Sequence, residues 1–135
     1  MSGKYLIFGA TGSIGSNLAK LMVSKNQDVQ LIGRDENGLK SLSSELDCKY
    51  SVVDVLNEQS IKNLKDEFEG QDISGIAYCV GSIDLKPIRA VKKDDFIKCF
   101  DLNFFPIVET IKNFQDNLKK NKGSVVMFST VAVQR

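Results

Sequence analysis

The feature that most constrains the fold is the stretch Lys4–Gly15, where a short apolar run leads through three glycines into a helical stripe. Residues 5–8 are apolar enough for a strand that is buried on both faces. The stripe that follows consists of Ile14, Leu18, Leu21 and Met22. A strand, a glycine-rich turn and a helix in this order predict an anion site, because the first N–H groups of the helix point into the turn.

Each glycine of the turn has its own expected task. Gly9 allows a sharp turn, Gly12 has no side chain to keep a pyrophosphate away, and Gly15 allows the helix to lie close against the strand. The spacing G-x-x-G-x-x-G, without a following Gly-Lys-Ser/Thr, argues against a P-loop. The alternative is an ordinary strand-to-helix turn that binds nothing.

Size and composition narrow the classes of protein to consider. Residues 1–135 suffice for one Rossmann-like domain, and 42% apolar with 26% charged residues is typical of a globular chain. A net charge of +1 gives no electrostatic case for nucleic acid. No apolar run approaches the ~20 residues of a membrane helix, and no signal peptide precedes the first strand, so we expect a cytoplasmic protein without a membrane partner.

The cysteines and the lack of histidine limit the chemistry. Cys48, Cys79 and Cys99 are an odd number at wide spacing, as expected for reduced thiols rather than a disulfide framework or a zinc site. The chain has no histidine, so no metal site is expected and histidine cannot act as an acid or base. Proton chemistry must then come from Ser, Thr, Tyr, Lys or carboxylates.

Strands and helices alternate along the rest of the chain according to the hydrophobic pattern. Further strands are predicted at residues 28–32, 49–54, 73–80 and 125–129, and helices at 35–46 and about 57–70. Asp35 and Asn57 are the predicted N-caps. The alternation with short connections predicts an α/β fold, a Rossmann-like doubly wound parallel sheet of about five strands in the order 3-2-1-4-5.

A long helix is predicted from Asp94 or Asp95 to about Asn121. Its inward stripe would consist of Phe96, Phe100, Asn103, Ile107, Ile111, Phe114 and Leu118. Asn103 occupies a slot for a hydrophobic residue, so its amide is expected to have a hydrogen-bonding task. Pro106 should distort the helix near residues 102–105. The alternative is that Asn103 only satisfies the distorted backbone.

The end of the predicted sheet has a consequence for assembly. A doubly wound fold normally continues past its fifth strand, so we expect a fold that is truncated near Arg135. Strand five would then be an apolar edge that needs a cover. This edge and the helix at 94–121 are expected to drive self-association, most simply as a homodimer.

Polar residues follow several predicted strands at the carboxyl edge of the sheet, where open α/β sheets bind ligands. Arg34 lies 19 residues after Gly15, where a dinucleotide fold reads the ribose 2′ position. An arginine there favours the 2′-phosphate of NADP over NAD, and the alternative is a surface arginine at a helix start. Asp54 either accepts a hydrogen bond from an adenine amino group or caps a turn.

Together these residues resemble the short-chain dehydrogenase/reductase family. The turn from Gly9 to Gly15 is similar to its nucleotide turn, in the form more common in the extended and atypical branches, and Asp54-Val55 is similar to its adenine-contacting pair. Cys79-Val80-Gly81 stands where the family usually has Asn-Ala-Gly, so only Gly81 matches. The resemblance implies cofactor contacts from Gly9, Thr11, Gly12, Ser13, Ile14, Gly15, Arg34, Asp54, Val55, Cys79, Val80 and Gly81.

The resemblance also implies catalytic roles. Asp101-Leu102-Asn103 resembles the helix segment whose asparagine supports a proton relay, and the strand after Gly123 resembles the one that delivers the catalytic serine. That position is Thr130, with Ser129 just before it, so either hydroxyl would polarise the substrate oxygen. The family's Tyr-x-x-x-Lys would lie beyond Arg135, and no tyrosine here has a lysine four residues later.

The sequence therefore favours the nucleotide-binding half of an oxidoreductase that transfers hydride between NADP(H) and a small carbonyl or alcohol. The 135 residues alone are expected to show no turnover, because the catalytic tyrosine and lysine are missing. A second hypothesis is a dinucleotide-binding or sensing module without chemistry, which Cys79 and Thr130 favour mildly. A methyltransferase is a distant third, since it would usually want an acid at the end of strand two. The substrate itself cannot be read from the sequence.

Overall fold

The structure is a computed structural model that describes residues 3–130. Its centre is a five-stranded parallel sheet in the order β3-β2-β1-β4-β5, as the sequence predicts. The strands are β1 (Lys4–Phe8), β2 (Val29–Gly33), β3 (Lys49–Val52), β4 (Ile73–Tyr78) and β5 (Ser124–Met127). The helices are α1 (Ser13–Ser24), α2 (Glu36–Leu46), α3 (Glu58–Glu67), α4 (Lys93–Asn103) and α5 (Phe105–Lys120), with a 3₁₀ turn at Ile88–Ala90.

Two pairs of neighbouring strands end together at the carboxyl edge of the sheet. Gly33 pairs with Val52, so β3 ends two residues earlier than predicted. Tyr78 pairs with Met127, so β4 and β5 stop together. The residues that the sequence analysis gave to the ends of these strands therefore form loops at the carboxyl edge, where their side chains become available to a ligand.

The core consists of one apolar layer on each face of the sheet. Successive side chains of a strand point to opposite faces, so Leu6 and Phe8 join one layer and Ile7 joins the other. The first layer includes Ile61 of α3 and Phe114 of α5, and the second includes residues of α1 and α2. Strand β1 is buried from Leu6 to Phe8, as its apolar run predicts.

The apolar stripe predicted for α1 is partly wrong. Leu18 and Met22 pack against the core, but Ile14 and Leu21 are each 53% exposed. The buried positions of α1 are Gly15 and Ala19. The helix comes so close to the turn after β1 that a Cβ on Gly15 would collide with the carbonyl oxygen of Gly9. Only small residues fit between the helix and the turn at so short a distance, so Ile14 and Leu21 lie on the exposed side of α1.

The long helix predicted for residues 94–121 is two helices. Helix α4 ends at Asn103, Phe104 leaves the helical conformation with φ −127° and ψ −60°, and α5 begins with Pro106 in its first turn. The predicted distortion near residues 102–105 is confirmed, because Pro106 has no N–H to continue the ladder.

The break also overturns half of the predicted stripe. Ile107, Phe114 and Leu118 of α5 are buried, whereas Phe96 and Phe100 of α4 are 57% and 51% exposed. No residue of α4 is buried. A break of the axis at Phe104 gives α4 its own direction, so a periodicity counted across the break cannot describe both helices.

The contact between α1 and the turn predicts unequal effects of two alanine substitutions. Gly15→Ala should lower the free energy of unfolding by about 1–3 kcal/mol, because its Cβ has no room. Gly12→Ala should cost less than about 1 kcal/mol, since its φ of −75° suits any residue and its Cβ would lie 3.4 Å from the nearest atom, the Gly9 oxygen. Urea denaturation measures both, and equal losses would contradict the packing argument.

Candidate functional site

A cleft of about 350 Å³ opens at the carboxyl edge of the sheet. It lies beside β1, whose neighbours β2 and β4 are reached in opposite directions, and such a switch point is where open α/β sheets bind ligands. The residues predicted for the cofactor that line it are Gly9, Thr11, Gly12, Arg34, Asp54, Val55, Cys79, Val80 and Gly81. Ser13 and Ile14 stand exposed on the first turn of α1, and Gly15 is buried beneath that turn.

The glycine turn is shaped by close contacts rather than by flexibility. Gly9 has φ +74°, which disfavours other residues, and its Cβ would come within 2.8 Å of the backbone of Cys79. The Gly12 N–H donates to the Gly9 carbonyl at 3.1 Å, which closes the turn. The side of Gly12 is open, so its backbone is left accessible from the cleft.

The start of α1 differs from the starts of α2 and α3. Asp35 accepts a hydrogen bond from the Gly38 N–H at 3.2 Å, and Asn57 accepts one from the Gln59 N–H at 3.0 Å. At Gly12 no side chain caps α1, and its first turn contains no acidic residue. The first N–H groups of α1 therefore have no side-chain acceptor, and the helix begins next to Gly12, which lines the cleft. The partial positive charge of the helix dipole at this place suits an anion.

Arg34 and Asp35 are adjacent at the end of β2 but have different tasks. The guanidinium of Arg34 is exposed and lines the cleft. The carboxylate of Asp35 caps α2 through Gly38. Asp35 does not line the cleft, whereas Arg34 does, so the cleft offers a cation rather than an acid at this point.

Asp54 lies between β3 and α3 and lines the cleft. Its Oδ1 accepts a hydrogen bond from the Leu56 N–H at 3.0 Å, so the turn-capping alternative is observed. A carboxylate has two oxygens with several acceptor positions, and this one bond leaves acceptor capacity for a ligand.

Asn103 has the hydrogen-bonding task that its polar slot predicts. Its amide donates to the Ser82 carbonyl at 2.9 Å and to the Cys99 carbonyl at 3.0 Å, and its Oδ1 accepts from the Ser82 N–H at 3.0 Å. The side chain is half-buried rather than buried. It ties the end of α4 to the loop after β4, and its bond to Cys99 also satisfies a carbonyl in the last turn of α4, so the alternative interpretation is observed as well.

Tyr78 and Leu102 are site residues that the sequence analysis did not identify. Leu102 lines the cleft, and its carbonyl accepts a hydrogen bond from the buried hydroxyl of Tyr78 at 3.0 Å. Burial raises the pKa of Tyr78 well above its usual value, so the hydroxyl stays protonated and keeps donating. No pattern in the sequence marks this pair, because it joins a strand to a helix 24 residues later.

Cys79 forms part of the cleft wall and is half-buried. Burial raises the pKa of its thiol, which is therefore protonated at neutral pH and a poor nucleophile. Within residues 3–130 no group of three Cys, Asp or Glu side chains could hold a metal ion, and no helix of that range is long and apolar enough to cross a membrane.

Ser129 and Thr130 follow β5 at the carboxyl edge and are exposed. Strands β4 and β5 are paired up to Tyr78 and Met127. Gly81 and Thr130 each stand three residues beyond that pair. The two hydroxyls therefore follow β5, and its neighbour β4 leads into the cleft wall at Val80 and Gly81.

Comparison with known proteins identifies the family. The family model for short chain dehydrogenases matches residues 4–135. The chain belongs to the short-chain dehydrogenase family, and its fold and strand order are those that the resemblance implies.

Individual relatives agree with this assignment. A 3-oxoacyl-[acyl-carrier-protein] reductase FabG of Rickettsia typhi is 31% identical over 134 residues, which cover 93% of this chain and 53% of the relative. The short-chain dehydrogenase/reductase YIR035C of Saccharomyces cerevisiae has a crystal structure with a TM-score of 0.91 at 25% identity, which covers 99% of this chain and 56% of that one. A serine dehydrogenase complexed with NADP+ has a TM-score of 0.89 at 20% identity, with 98% and 56% covered. The chain spans about half the length of the curated relatives it matches.

The two-sided hydrogen bond of Asn103 to Ser82 predicts a local effect of its removal. Asn103→Ala should speed hydrogen exchange at the Ser82 amide several-fold and lower the free energy of unfolding by about 1 kcal/mol. Asn113→Ala is the control, because the Asn113 amide bonds the Glu109 carbonyl of its own helix. If hydrogen exchange at the Ser82 amide is as slow in Asn103→Ala as in Asn113→Ala, Asn103 does not hold the Ser82 loop.

Proposed function

We propose that this chain is the cofactor-binding part of an oxidoreductase that transfers hydride between NADP(H) and a carbonyl or alcohol. The observation that carries the proposal is the uncapped start of α1 at Gly12, which opens onto the switch-point cleft. A diphosphate supplies the negative charge that these N–H groups lack. Family membership supports the same chemistry.

The residues present fit a dinucleotide along the whole cleft. The first turn of α1 would bind the diphosphate, and Gly12 leaves room for it because its Cβ position is open. Asp54 would accept from the adenine amino group with the acceptor capacity that Leu56 leaves free. Val55 and Leu102 offer apolar walls for the base. The bound nicotinamide supplies or accepts the hydride.

The choice of NADP over NAD rests on Arg34. A guanidinium can bind a 2′-phosphate with two parallel hydrogen bonds, whereas NAD presents a ribose hydroxyl that favours a carboxylate. Asp35, the next residue along the chain, caps α2 and does not line the cleft. The structural neighbour complexed with NADP+ supports the broader class, a nicotinamide dinucleotide.

We assign the substrate oxygen to the hydroxyls at the end of β5. Thr130, or Ser129 beside it, would donate to the carbonyl oxygen and polarise it. Asn103 would hold a relay water from its place at the end of α4. The tyrosine and lysine that the family uses as acid–base pair are not in this sequence, so we propose turnover only for a longer protein that contains this chain. Cysteines that are all free within residues 3–130 suit a reducing, cytoplasmic location.

Nucleotide binding by the 135-residue chain tests the proposal. In titration calorimetry we expect NADP+ to bind at least about tenfold more tightly than NAD+, the equivalent of one charge-assisted contact. Arg34→Ser should remove that preference by weakening NADP+ alone, and Gly12→Val should abolish binding of both while the protein stays folded. Arg89→Ser, at an exposed position of the 3₁₀ turn, is the control. No heat with either nucleotide would refute the proposal.

We also propose that the chain self-associates through an aromatic face. Phe100, Phe104 and Phe105 form a cluster with ring centroids 5.8–6.0 Å apart, and each is 51% exposed. Phe96 and Ile97 extend this surface along α4, which buries no residue of its own. A helix this short is marginal without tertiary packing, so a second copy over the face would stabilise it.

Sedimentation velocity tests the aromatic face. We expect a dimer at about tens of micromolar and a monomer for Phe100→Ser, because the substitution replaces one of the three mutually contacting rings by a polar side chain. Leu21→Ser is a matched control, since Leu21 is 53% exposed on α1 and belongs to no such cluster. A clean monomer of the unaltered chain would contradict the proposal, as would a dimer that survives Phe100→Ser.

A further inference from the structure

The sequence contains a single Asn-Gly dipeptide, Asn37-Gly38, and it lies in the first turn of α2. The side chain of Asn37 is exposed. An asparagine followed by glycine is chemically labile, because glycine has no Cβ to hinder attack of its backbone nitrogen on the side-chain amide. The first turn of α2 therefore contains a reactive pair that the proposed function does not use.

Packing explains why glycine occupies position 38. A Cβ on Gly38 would lie 2.5 Å from Asp35 Oδ2 and 3.0 Å from Thr11 Cγ2. The first distance is shorter than real carbon–oxygen contacts, so a side chain here would displace the carboxylate that caps α2. Thr11 belongs to the glycine turn and lines the cleft. The close approach of α2 to this turn thus requires the glycine that makes Asn37 labile.

The folded structure protects the pair. Attack requires the Gly38 nitrogen to reach Asn37 Cγ, whereas an α-helix directs each N–H along its axis toward the preceding turn. The Gly38 N–H also donates to Asp35 Oδ1 at 3.2 Å. The reaction therefore needs an opening of the first turn of α2 that releases Gly38 from its cap. Exposed helix ends open with the lowest free energies in a folded protein.

We propose that Asn37 is a site of spontaneous deamidation and that the Asp35 cap controls its rate. The Gly38 nitrogen forms a bond to Asn37 Cγ, the Cγ–Nδ2 bond breaks, and ammonia leaves with the Gly38 amide proton. Water then opens the resulting succinimide at one of its two carbonyl carbons. The products are aspartate, or isoaspartate with the main chain running through Cγ. Both steps proceed without an oxidant or a reductant.

The contact with Thr11 makes a nucleotide a protecting ligand. Opening the first turn of α2 removes Gly38 from Thr11 and so alters a wall of the cleft. A ligand that binds only the closed form lowers the population of the open form. NADP+ should therefore slow the deamidation of Asn37.

Deamidation has a consequence for the choice of coenzyme, and this part of the inference rests on the proposed function. The new carboxylate adds a third negative charge to Asp35 and Glu36, directly after Arg34 in the chain. Isoaspartate also lengthens the main chain by an atom before Gly38, which disrupts the cap. Added negative charge repels a 2′-phosphate more than a ribose hydroxyl, so the preference for NADP+ should fall.

Incubation of the 135-residue chain at mildly alkaline pH, followed by tryptic digestion and mass spectrometry, tests the modification site. Cleavage after Arg34 and Lys40 isolates residues 35–40, in which the exchange of NH2 for OH measures deamidation. Asp35→Ala should speed the reaction about fivefold, the equivalent of the roughly 1 kcal/mol that a cap contributes. Asp35→Ser is the matched control, since serine also caps, and its rate should stay within about twofold of the unaltered chain. Asn37→Gln should remove the mass change.

Saturating NADP+ should slow the reaction at least about threefold. In titration calorimetry, Asn37→Asp should show at least about a threefold weaker preference for NADP+ over NAD+ than Asn37→Gln, since only the first adds a charge.

Each of the two parts of the inference has its own contrary result. No deamidation of Asn37 in the urea-unfolded chain would refute the site, and equal rates in Asp35→Ala and Asp35→Ser would refute control by the cap. If NADP+ binds but Asn37→Asp keeps the preference of Asn37→Gln, the consequence for the coenzyme is wrong. If NADP+ fails to bind while Asp35→Ala still speeds the reaction, the proposed function falls and the modification site stands.

Discussion

The rest of the site depends on the contact between the start of α1 and the turn after β1. Gly15 lies so close to the Gly9 carbonyl that no side chain fits between them. This contact fixes the helix start over the edge of the sheet, at the switch point between β2 and β4. A longer distance would let larger residues pack beneath α1, but its N–H groups would then stand away from the cleft. The proposed anion site therefore requires small residues at this contact.

The opposite wall of the cleft depends on α4, a helix without a buried residue. Polar contacts hold it: the Tyr78 hydroxyl donates to the Leu102 carbonyl, Asn103 and Ser82 exchange two hydrogen bonds, and Lys86 pairs with Asp95. Hydrogen bonds of this kind each contribute only about 1 kcal/mol net, so α4 is held more weakly than α1 or α5. A cover over the aromatic face of α4 would therefore also steady the wall against which the cofactor base would lie.

The sequence predicts the caps at Asp35 and Asn57 and much of the lining of the cleft, because these follow from local patterns. It predicts the order of the sheet because strands and helices alternate with short connections. The prediction from sequence is wrong where the distance between two elements determines which side chains are buried. Ile14 and Leu21 fit a helical stripe, yet the close approach of α1 to the turn at Gly15 leaves them exposed. The predicted apolar stripe is also wrong across the break at Phe104, because a single helical periodicity cannot describe two helices with different axes. The bond from Tyr78 to Leu102 has no local signature, since it arises only when the strand and the helix meet.

The position of β5 has a consequence for the order of events during synthesis. Within residues 3–130 this strand pairs with β4 alone, and most of its side chains are exposed. The Gly12 turn, by contrast, is supported by the centre of the sheet. In a longer protein that begins with this chain, the nascent polypeptide could bind nucleotide before the strand that carries Thr130 is held from both sides. Under the proposed function, nucleotide binding would then precede the ordering of the strand end that leads to Ser129 and Thr130.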